Sequence, residues 1–267
     1  MPAVMTVISP AKTLDFETPV AVGTSTEGRF NQEAAKLVDI LRTCTVADLK
    51  GMMSLSDALA SLNVERFSQW QLPMATERSK QALLAFKGDV YTGLDATTLT
   101  AGQLRQAQEQ VRILSGLYGL LRPMDRILPY RLEMGTRLSN PRGSNLYDWW
   151  SDSLTRTLDD DLRKAGAKTL VNLASTEYFK AVKPKQLSVP VVVPEFRDLK
   201  NGQYKMISFF AKKARGMMVR FILENDLQSV DDLKAFDSAG YRFDAERSTA
   251  NRWQFLRDEV SSYPNTH

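Results

Sequence analysis

The residues able to do chemistry in this chain are almost all lysines, arginines and carboxylates. The sequence holds one histidine, His267 at its end, and one cysteine, Cys44. This composition excludes a Ser-His-Asp or Cys-His catalytic system within the chain, an intramolecular disulfide and a zinc site built on histidine and cysteine. No Asp-x-Asp motif with supporting ligands indicates magnesium, so no metal or cofactor is predicted. Lysines and arginines must therefore supply any anion binding, and carboxylates any proton transfer.

Two cationic segments predict a surface that binds anions. Residues 200–223 contain six basic side chains and no acidic one. Residues 111–143 contain six arginines, accompanied only by Asp125 and Glu133. The planar guanidinium of arginine binds phosphate or carboxylate through two parallel hydrogen bonds, so this composition favours recognition over solubility alone. The net charge of +4 is by itself a weaker hint of polyanion binding.

Four short segments place charged and small residues directly after a predicted strand or helix, where α/β proteins gather their ligands. They are residues 9–13, 86–93, 122–135 and 172–180, and residues 211–216 add a basic helix start. The candidate anion-binding residues are Lys12, Lys87, Arg122, Arg131, Lys180, Lys212, Lys213 and Arg215. The candidate catalytic carboxylates are Asp89, Glu133 and Glu177.

These residues also have a purely structural interpretation. Lys12 can be a solvated side chain at the exit of a strand. A surface ion pair such as Arg122 with Asp125 would add only about 0 to 1 kcal/mol to stability. Ser175 is well placed to cap the helix that follows it, which accounts for its position without a ligand. The sequence leaves both interpretations open.

The elements that must position these residues include both strands and helices. Short apolar or β-branched runs predict strands at 4–8, 111–114, 169–173, 189–196 and 204–210. Helical periodicity and capping residues predict helices at 31–42, from Thr45, from Ser54 or Ser56, between Asn63 and Trp70, and at 78–87, 100–110, 145–164 and 211–224. Gly88 is predicted to end the helix 78–87 in a left-handed conformation. This order of elements predicts a mixed α/β fold.

The composition is that of a globular protein with one large core. The chain has 267 residues, of which 43% are hydrophobic and 25% are charged. No repeat, linker or low-complexity tract divides it, so we expect one domain over residues 1–267. No signal peptide or membrane-spanning run is present, which predicts a cytoplasmic protein without membrane contact. We expect it to act as a monomer.

Five segments of this chain resemble the bacterial YaaA family, in the family's order and over nearly the full length. They are SPAKTLD at 9–15, FKGDVY at 86–91, SGLYGLLRP at 115–123, PYRLEMG at 129–135 and AKKARG at 211–216. The resemblance implies an uncommon compact α/β fold with an embedded helix-hairpin-helix element. It also implies a cytosolic protein of the peroxide-stress response that binds DNA and limits free iron and oxidative DNA damage.

The helix-hairpin-helix element implied by the resemblance corresponds to residues 46–70, with the hairpin at Ser61, Leu62 and Asn63. In such a motif the backbone N–H groups of a tight turn grip phosphates without reading bases. The turn usually requires glycine, and Ser61 stands where the pattern favours it. Asn63 is compatible with a left-handed conformation, which is the other requirement of such a turn.

Two functions from different classes fit these residues. In the first, a Lys/Arg-rich cleft holds DNA through phosphate contacts with little sequence specificity. In the second, an enzyme acts on a nucleotide or nucleobase, for instance by cleaving a glycosidic bond with carboxylates of the same basic site. A third function is iron handling or protein interaction, although the histidine and cysteine ligands of a strong iron site are missing. An enclosed pocket shared by the five segments would favour the enzyme, and an open groove as wide as a duplex would favour DNA binding.

Overall fold

A central sheet organises the molecule. The computed structural model describes residues 4–19, 23–225 and 227–258. The strands in these ranges are β1 (Val4–Ile8), β2 (Thr13–Leu14), β3 (Lys80–Gln81), β4 (Phe86–Lys87), β5 (Val111–Ser115), β6 (Gly119–Leu121), β7 (Arg126–Ile127), β8 (Thr169–Leu173), β9 (Val191–Lys200), β10 (Gln203–Lys205), β11 (Arg242–Asp244) and β12 (Arg252–Arg257). The α-helices are α1 (Asn31–Leu41), α2 (Val46–Met53), α3 (Asp57–Gln69), α4 (Ala82–Ala85), α5 (Asp89–Leu94), α6 (Ala101–Gln110), α7 (Leu146–Trp150), α8 (Ser153–Ala165), α9 (Thr176–Phe179) and α10 (Ser208–Glu224).

Parallel strands form the middle of the sheet, in the order β12-β9-β8-β1-β5. The antiparallel strands β11 and β6 extend its two edges, and β10 pairs with β9. β1, β5 and β8 are buried along their whole length. Parallel strands buried on both faces require apolar side chains throughout, which is why β1 and β8 are almost continuous apolar runs.

The chain changes direction across the sheet between β1 and β8. From β1 it continues to β5 on one side, and it later returns to β8 on the other side of β1. In open α/β sheets of this order, ligands bind in the crevice outside the carboxyl ends of the two strands at the switch point. The residues directly after β1 and β8 are therefore the first place to look for a site.

The predicted fold class, mixed α/β, is confirmed by the central sheet and its surrounding helices. The structure also confirms the predicted strands that become β1, β5 and β8, and the predicted helices that become α1, α2 and α6. Thr45 caps α2 through reciprocal hydrogen bonds with Asp48. Local periodicity and capping chemistry were sufficient at these positions because each element buries one uninterrupted apolar pattern.

Three other predicted elements differ from the structure. Residues 78–87 hold the short helix α4 between β3 and β4, and Gly88 is extended (φ 170°), so the predicted helix and left-handed cap are wrong. The helix predicted at 145–164 is divided into α7 and α8 at Ser151, whose φ of 44° interrupts the helical backbone. The strand predicted at 204–210 ends at Lys205, because Ser208 already begins α10.

The hairpin predicted at Ser61, Leu62 and Asn63 is wrong. These residues lie inside α3, where Asn63 Nδ2 donates to a backbone carbonyl one turn earlier at 2.7 Å. The turn between α2 and α3 falls at residues 54–56, where Ser54 is left-handed (φ 52°) and Ser56 caps α3. The helix start predicted at Ser54 or Ser56 is therefore confirmed, whereas the break predicted after Asn63 is absent, because apolar spacing is the same for one continuous helix and for two short helices in line.

Asp161 is buried, although the acidic run at 159–161 suggests solvated charge. Its carboxylate accepts hydrogen bonds from Arg29 at 2.7 Å and from Arg112 at 2.5 Å. The side chains of Arg112 and Asp161 are only 5% and 9% exposed. The two guanidinium groups compensate for the lost hydration of the carboxylate, and they tie α8 to β5 and to the segment before α1.

Three further features that the composition singles out are the isolated Cys44, the single histidine His267 and the lack of a membrane-spanning run. Cys44 is half-buried, with its Sγ 3.7 Å from Ile40 O, and burial raises the pKa of its thiol. His267 lies outside the described residues. Within the described ranges no helix has the length and apolar character needed to cross a bilayer.

Candidate functional site

The residues that follow β1 and β8 meet at the crevice expected from the strand order. Ser9 Oγ accepts a hydrogen bond from Ser175 N at 2.9 Å, and the two hydroxyl oxygens are 3.3 Å apart. Ser175 also caps α9, as the sequence predicts, because its Oγ accepts a hydrogen bond from Tyr178 N at 3.4 Å. These contacts hold the carboxyl ends of two neighbouring strands together beside a common cavity.

The cavity has a volume of about 540 Å³. Its walls come from separated stretches of the chain, within residues 9–13, 87–91, 130–133, 175–178 and 212–215. The lining includes five cationic and three carboxylate side chains: Lys12, Lys87, Arg131, Lys212, Arg215, Asp89, Glu133 and Glu177. This volume lies in the range of pockets that hold a small organic ligand, and the excess of cations favours an anionic one.

Glu133 lies between two of these cations. Its Oε1 is 3.0 Å from Lys12 Nζ and 3.0 Å from Arg131 Nη2. The side chain of Lys12 is mostly exposed, whereas those of Arg131 and Glu133 are mostly buried. Arg131 and Glu133 are two residues apart in the chain, and Lys12 joins their ion pair from a distant segment. The ammonium group of Lys12 is exposed, so an anion that entered the pocket would compete with Glu133 for it.

The helix α10 contributes Lys212 and Arg215 to the pocket. Arg215 is half-buried, and burial lowers the pKa of its guanidinium against the opposing effect of the Glu195 charge. Among the residues that the structure describes, neither Lys212 nor Arg215 has a carboxylate oxygen within 4.0 Å. A half-buried guanidinium without a close counter-ion favours binding of an anion that supplies one.

The other two pocket carboxylates are held by different means. Glu177 Oε1 accepts a hydrogen bond from Gly135 N at 2.9 Å. Asp89 lies in the first turn of α5, where the partial positive charge of the helix start stabilises a carboxylate. The three candidate catalytic carboxylates therefore line one cavity together with the cations, which suits proton transfer as well as charge binding.

Three tyrosines form aromatic walls that the sequence analysis did not assign to the site: Tyr91, Tyr130 and Tyr178. Tyr91 OH donates to Ser9 O at 3.1 Å, and Tyr130 OH forms a 2.6 Å hydrogen bond with Ser115 Oγ. Burial raises the pKa of all three phenols, which keeps them protonated. All three lie inside segments whose charged residues predict a ligand site. The sequence therefore indicates the segments, but it does not indicate that their tyrosines line the site.

Three of the predicted cations lie outside the pocket. Arg122 forms a 2.9 Å ion pair with the buried carboxylate of Asp125, which is the structural alternative considered from the sequence. Lys180 Nζ lies 4.8 Å from the ring centre of Tyr147. Lys213 is exposed on α10 beyond the pocket lining. The other five predicted cations all line the cavity.

Two glycines allow α5 and α10 to approach closely enough to share the pocket. A Cβ on Gly216 would lie 1.8 Å from Val90 O. A Cβ on Gly93 would lie 2.0 Å from Lys213 O. Both distances are shorter than any tolerated contact, so a larger residue forces the helices apart. This crossing sets the distance between the pocket residues on α5 and those on α10.

Asp15 stabilises the loop that follows β2 at the border of the pocket. Its carboxylate accepts hydrogen bonds from Thr18 N at 2.9 Å and Thr18 Oγ1 at 2.8 Å, and the buried Lys80 Nζ is 3.7 Å away. The hydrogen bonds from Thr18, helped by Lys80, lower the pKa of Asp15 from 3.8 to about 2. Lys87 Nζ on the pocket wall is 3.8 Å from the same carboxylate, so Asp15 also helps to place a pocket cation.

Replacing Asp15 with asparagine is expected to change how stability depends on pH. Because its pKa is lowered in the folded state, the charge of Asp15 contributes fully above about pH 3.8 and its contribution is lost as the pH falls toward about 2. The free energy of unfolding of the wild type should exceed that of Asp15→Asn at neutral pH, and the difference should disappear in acid. Urea unfolding across this range measures it. If the free energies of unfolding of wild type and Asp15→Asn changed in parallel with pH, the lowered pKa of Asp15 would be wrong. Glu17→Gln, which removes the charge of an exposed neighbouring carboxylate, is the control.

These features define an α/β protein with a polar, cation-rich pocket at the switch point of a mostly parallel sheet. The sequence profile described as peroxide stress protein YaaA matches residues 4–247. A UPF0246 protein of Azoarcus sp. (strain BH72) is 58% identical over 255 residues, covering 94% of this chain and 98% of the relative. UPF0246 proteins of Hahella chejuensis and Aliivibrio fischeri (strain MJ11) are 54% and 53% identical, with 94% and 95% of this chain and 98% of each relative covered. The chain belongs to the peroxide stress protein YaaA family.

Among the described residues, no group of three or more histidine, cysteine, aspartate or glutamate side chains is arranged to hold a metal ion. The carboxylates of the pocket are instead interleaved with cations, as in the contacts of Glu133 with Lys12 and Arg131. These interleaved charges can supply ion pairing, hydrogen bonding and proton transfer.

Proposed function

We propose that this member of a peroxide-stress family is a DNA-binding protein whose pocket receives a single nucleotide unit. The observation that carries the proposal is the convergence of five cationic side chains on one cavity of about 540 Å³. A cavity of this size is suited to one nucleotide, whereas a base-paired duplex must stay outside it. The lysines at the rim then contact neighbouring phosphates, with little dependence on sequence.

The arrangement of the pocket supports a phosphorylated ligand with an aromatic part. Arg215 and Lys212 have no close carboxylate among the described residues, so a phosphate can supply the missing charge. The walls formed by Tyr91, Tyr130 and Tyr178 offer aromatic contacts to a nucleobase. Nucleotide units extruded from DNA are held by other proteins with this same combination of stacking and polar contacts.

Replacing Lys12 and Lys212 together with alanine is expected to weaken binding of a short DNA strand about a hundredfold at low salt. The magnitude of the slope of the logarithm of the binding constant against the logarithm of salt concentration should fall by about 1.4, about 0.7 for each lost phosphate contact with a single strand. Fluorescence anisotropy with a labelled oligonucleotide at several salt concentrations measures both quantities.

The matched control is Lys164→Ala with Lys168→Ala, which removes the same charge from exposed positions just before β8. The pocket lies beyond the carboxyl end of β8, so these lysines lie at the opposite edge of the sheet. Equal losses of affinity in the two double variants would show that net charge alone, and not the pocket, governs binding. The proposal would then be abandoned, as it would be if the wild type failed to bind at low salt.

The pocket shared by distant segments and its three carboxylates favour a second candidate, hydrolysis of a glycosidic bond in a nucleotide or in damaged DNA. A phosphate grip requires only cations, whereas a pair of carboxylates supplies the acid and the base or nucleophile of glycoside cleavage. Incubation with nucleosides, nucleotides and damaged DNA, followed by mass spectrometry, should then reveal a free base. The product should be lost in Glu133→Gln or Glu177→Gln, and absence of any product from the wild type would remove this candidate.

The lowering of free iron that the resemblance implies is part of the same proposal, although no residue is assigned to it. Protection of DNA by direct binding and a lower concentration of free iron both reduce oxidative damage. Spin resonance of chelatable iron in cells with and without the protein, under peroxide, should show more free iron in its absence. Equal iron levels would leave DNA binding as the protective activity.

A further inference from the structure

Two large apolar side chains at the start of α10 are exposed to solvent. Met206 is 64% exposed and Phe209 is 47% exposed. A single exposed apolar residue is ordinary on a protein surface. Here the two lie within three positions of each other beside the pocket wall, which makes their exposure informative.

Phe209 lies one helical turn from the pocket. It is three residues before Lys212 on α10, so the two side chains project from the same face of the helix. Lys212 lines the cavity. Phe209 does not line the cavity, so its ring lies outside it, one helical turn from Lys212.

The ring of Phe209 packs against a neighbouring aromatic ring, which itself contacts an arginine. It contacts the ring of Phe210 with centroids 5.5 Å apart and planes at 65°. The guanidinium carbon of Arg257 in turn lies 4.5 Å from the ring centre of Phe210. Arg257 forms an ion pair with the buried Asp198 of β9, which anchors this end of α10 to the sheet. A ring fixed in this way loses little conformational freedom when a flat ligand stacks on it.

The surroundings of the two apolar side chains are cationic. Lys205, Lys212 and Lys213 are exposed, and residues 201–223 contain no acidic side chain. An aromatic face bordered by lysines is complementary to a single-stranded nucleic acid, whose bases stack while its phosphates pair with the cations. A fully paired duplex hides the faces of its bases and offers only phosphates to this surface.

We propose that Met206 and Phe209 form a stacking subsite for the base next to the nucleotide in the pocket, so that the preferred ligand is single-stranded or locally unpaired DNA. This inference rests on the proposed function, because the pocket must hold the first nucleotide. It adds a substrate class: DNA with at least two neighbouring unpaired nucleotides.

The test compares wild type and Phe209→Ala in binding to a labelled single strand, to the duplex of the same sequence and to a free mononucleotide. Phe209→Ala is expected to weaken binding to the single strand about tenfold or more, which is the usual effect of losing one stacked base. Binding of the mononucleotide should not change, because the subsite lies outside the pocket. Phe209→Trp should restore single-strand binding, and wild type should prefer the single strand to the duplex.

The control is Leu187→Ala, which removes another partly exposed apolar side chain at a position outside the pocket lining. Thermal unfolding of each variant shows whether the fold is retained, and Phe209→Trp provides a second reading if the alanine variant is unstable. Single-strand binding by folded Phe209→Ala equal to that of wild type would overturn the subsite. Tighter binding of the matching RNA, or a wild-type dimer that Phe209→Ala dissociates, would also overturn it.

The outcomes separate the two proposals. If wild type binds neither mononucleotide nor DNA, the proposed function fails and the subsite with it. If both ligands bind but Phe209→Ala has no effect, the stacking subsite alone fails. If wild type binds the single strand more tightly than the duplex, and Phe209→Ala weakens this binding, both proposals are supported.

Discussion

Gly216→Ala is expected to destabilise the protein by about 3 kcal/mol and to weaken ligand binding in the pocket. A Cβ at this position would lie 1.8 Å from Val90 O and 2.7 Å from Leu94 N, which are backbone atoms of α5 that cannot rotate away. The two helices must therefore separate, and the pocket residues on α5 move away from those on α10. Chemical unfolding measures the first effect, and anisotropy with a labelled oligonucleotide measures the second.

Gly51→Ala is the matched control for this prediction. Gly51 lies inside α2, and a Cβ there would meet nothing within 4 Å. Alanine in an exposed helix interior is more favourable than glycine, so this variant should be more stable than wild type by about 0.5 to 1 kcal/mol. If Gly216→Ala were as stable as Gly51→Ala, the close crossing of α5 and α10 would be wrong.

Asp161→Ala is expected to destabilise the fold by about 3 to 5 kcal/mol, because it leaves the buried guanidinium of Arg112 without its partner. Arg112 Nε is 2.5 Å from Asp161 Oδ2, and its side chain is 5% exposed. Burial already lowers the pKa of Arg112 from its ordinary value, and the charge of Asp161 opposes this. Removing the carboxylate thus leaves the desolvation cost uncompensated. The free energy of unfolding in urea is the quantity to measure.

Asp160→Ala provides the control, since it removes the same charge from the next position of α8, where the side chain is exposed. Its effect should stay within about 0.5 kcal/mol. The double variant Arg112→Met with Asp161→Leu should recover part of the lost stability, because it removes the buried charge of Arg112, while the charge of Arg29 stays at a partly exposed position. A double variant as unstable as Asp161→Ala would indicate that packing, and not the ion pair, accounts for the loss.

Local chemistry predicted the strands that are buried on both faces, but it did not predict β6, β11 and β12 of the same sheet. β1, β5 and β8 were recognised because strands buried on both faces are short apolar runs. The capping residues predict the turn between α2 and α3 correctly at residues 54–56, but the further break expected at 61–63 is absent, since a continuous helix and two collinear ones share the same apolar spacing. The break at Ser151 was missed for the same reason.

The candidate site was predictable as a set of residue types but not as a place. Lys12 and Arg215 were selected because cations beside small residues suit anions, and both line the cavity. Arg122 was selected on the same grounds, yet it lies elsewhere with its charge neutralised by Asp125. Nothing in the sequence around Gly216 distinguishes a helix crossing from an ordinary helical glycine. The convergence of Lys12 with Arg215 and the crossing at Gly216 depend on partners that are remote in the chain, whereas Arg122 is neutralised by a residue three positions away.

The sequence by itself determined the chemistry open to this protein. With Cys44 isolated and His267 the single histidine, binding must rely on lysine and arginine, and proton transfer on carboxylates. Only the tertiary structure decided which of those groups act together, because β1 and β8 are neighbours in the sheet and α5 crosses α10 at two glycines. Strand order and helix crossing are set by packing between distant segments, and local periodicity carries no information about either.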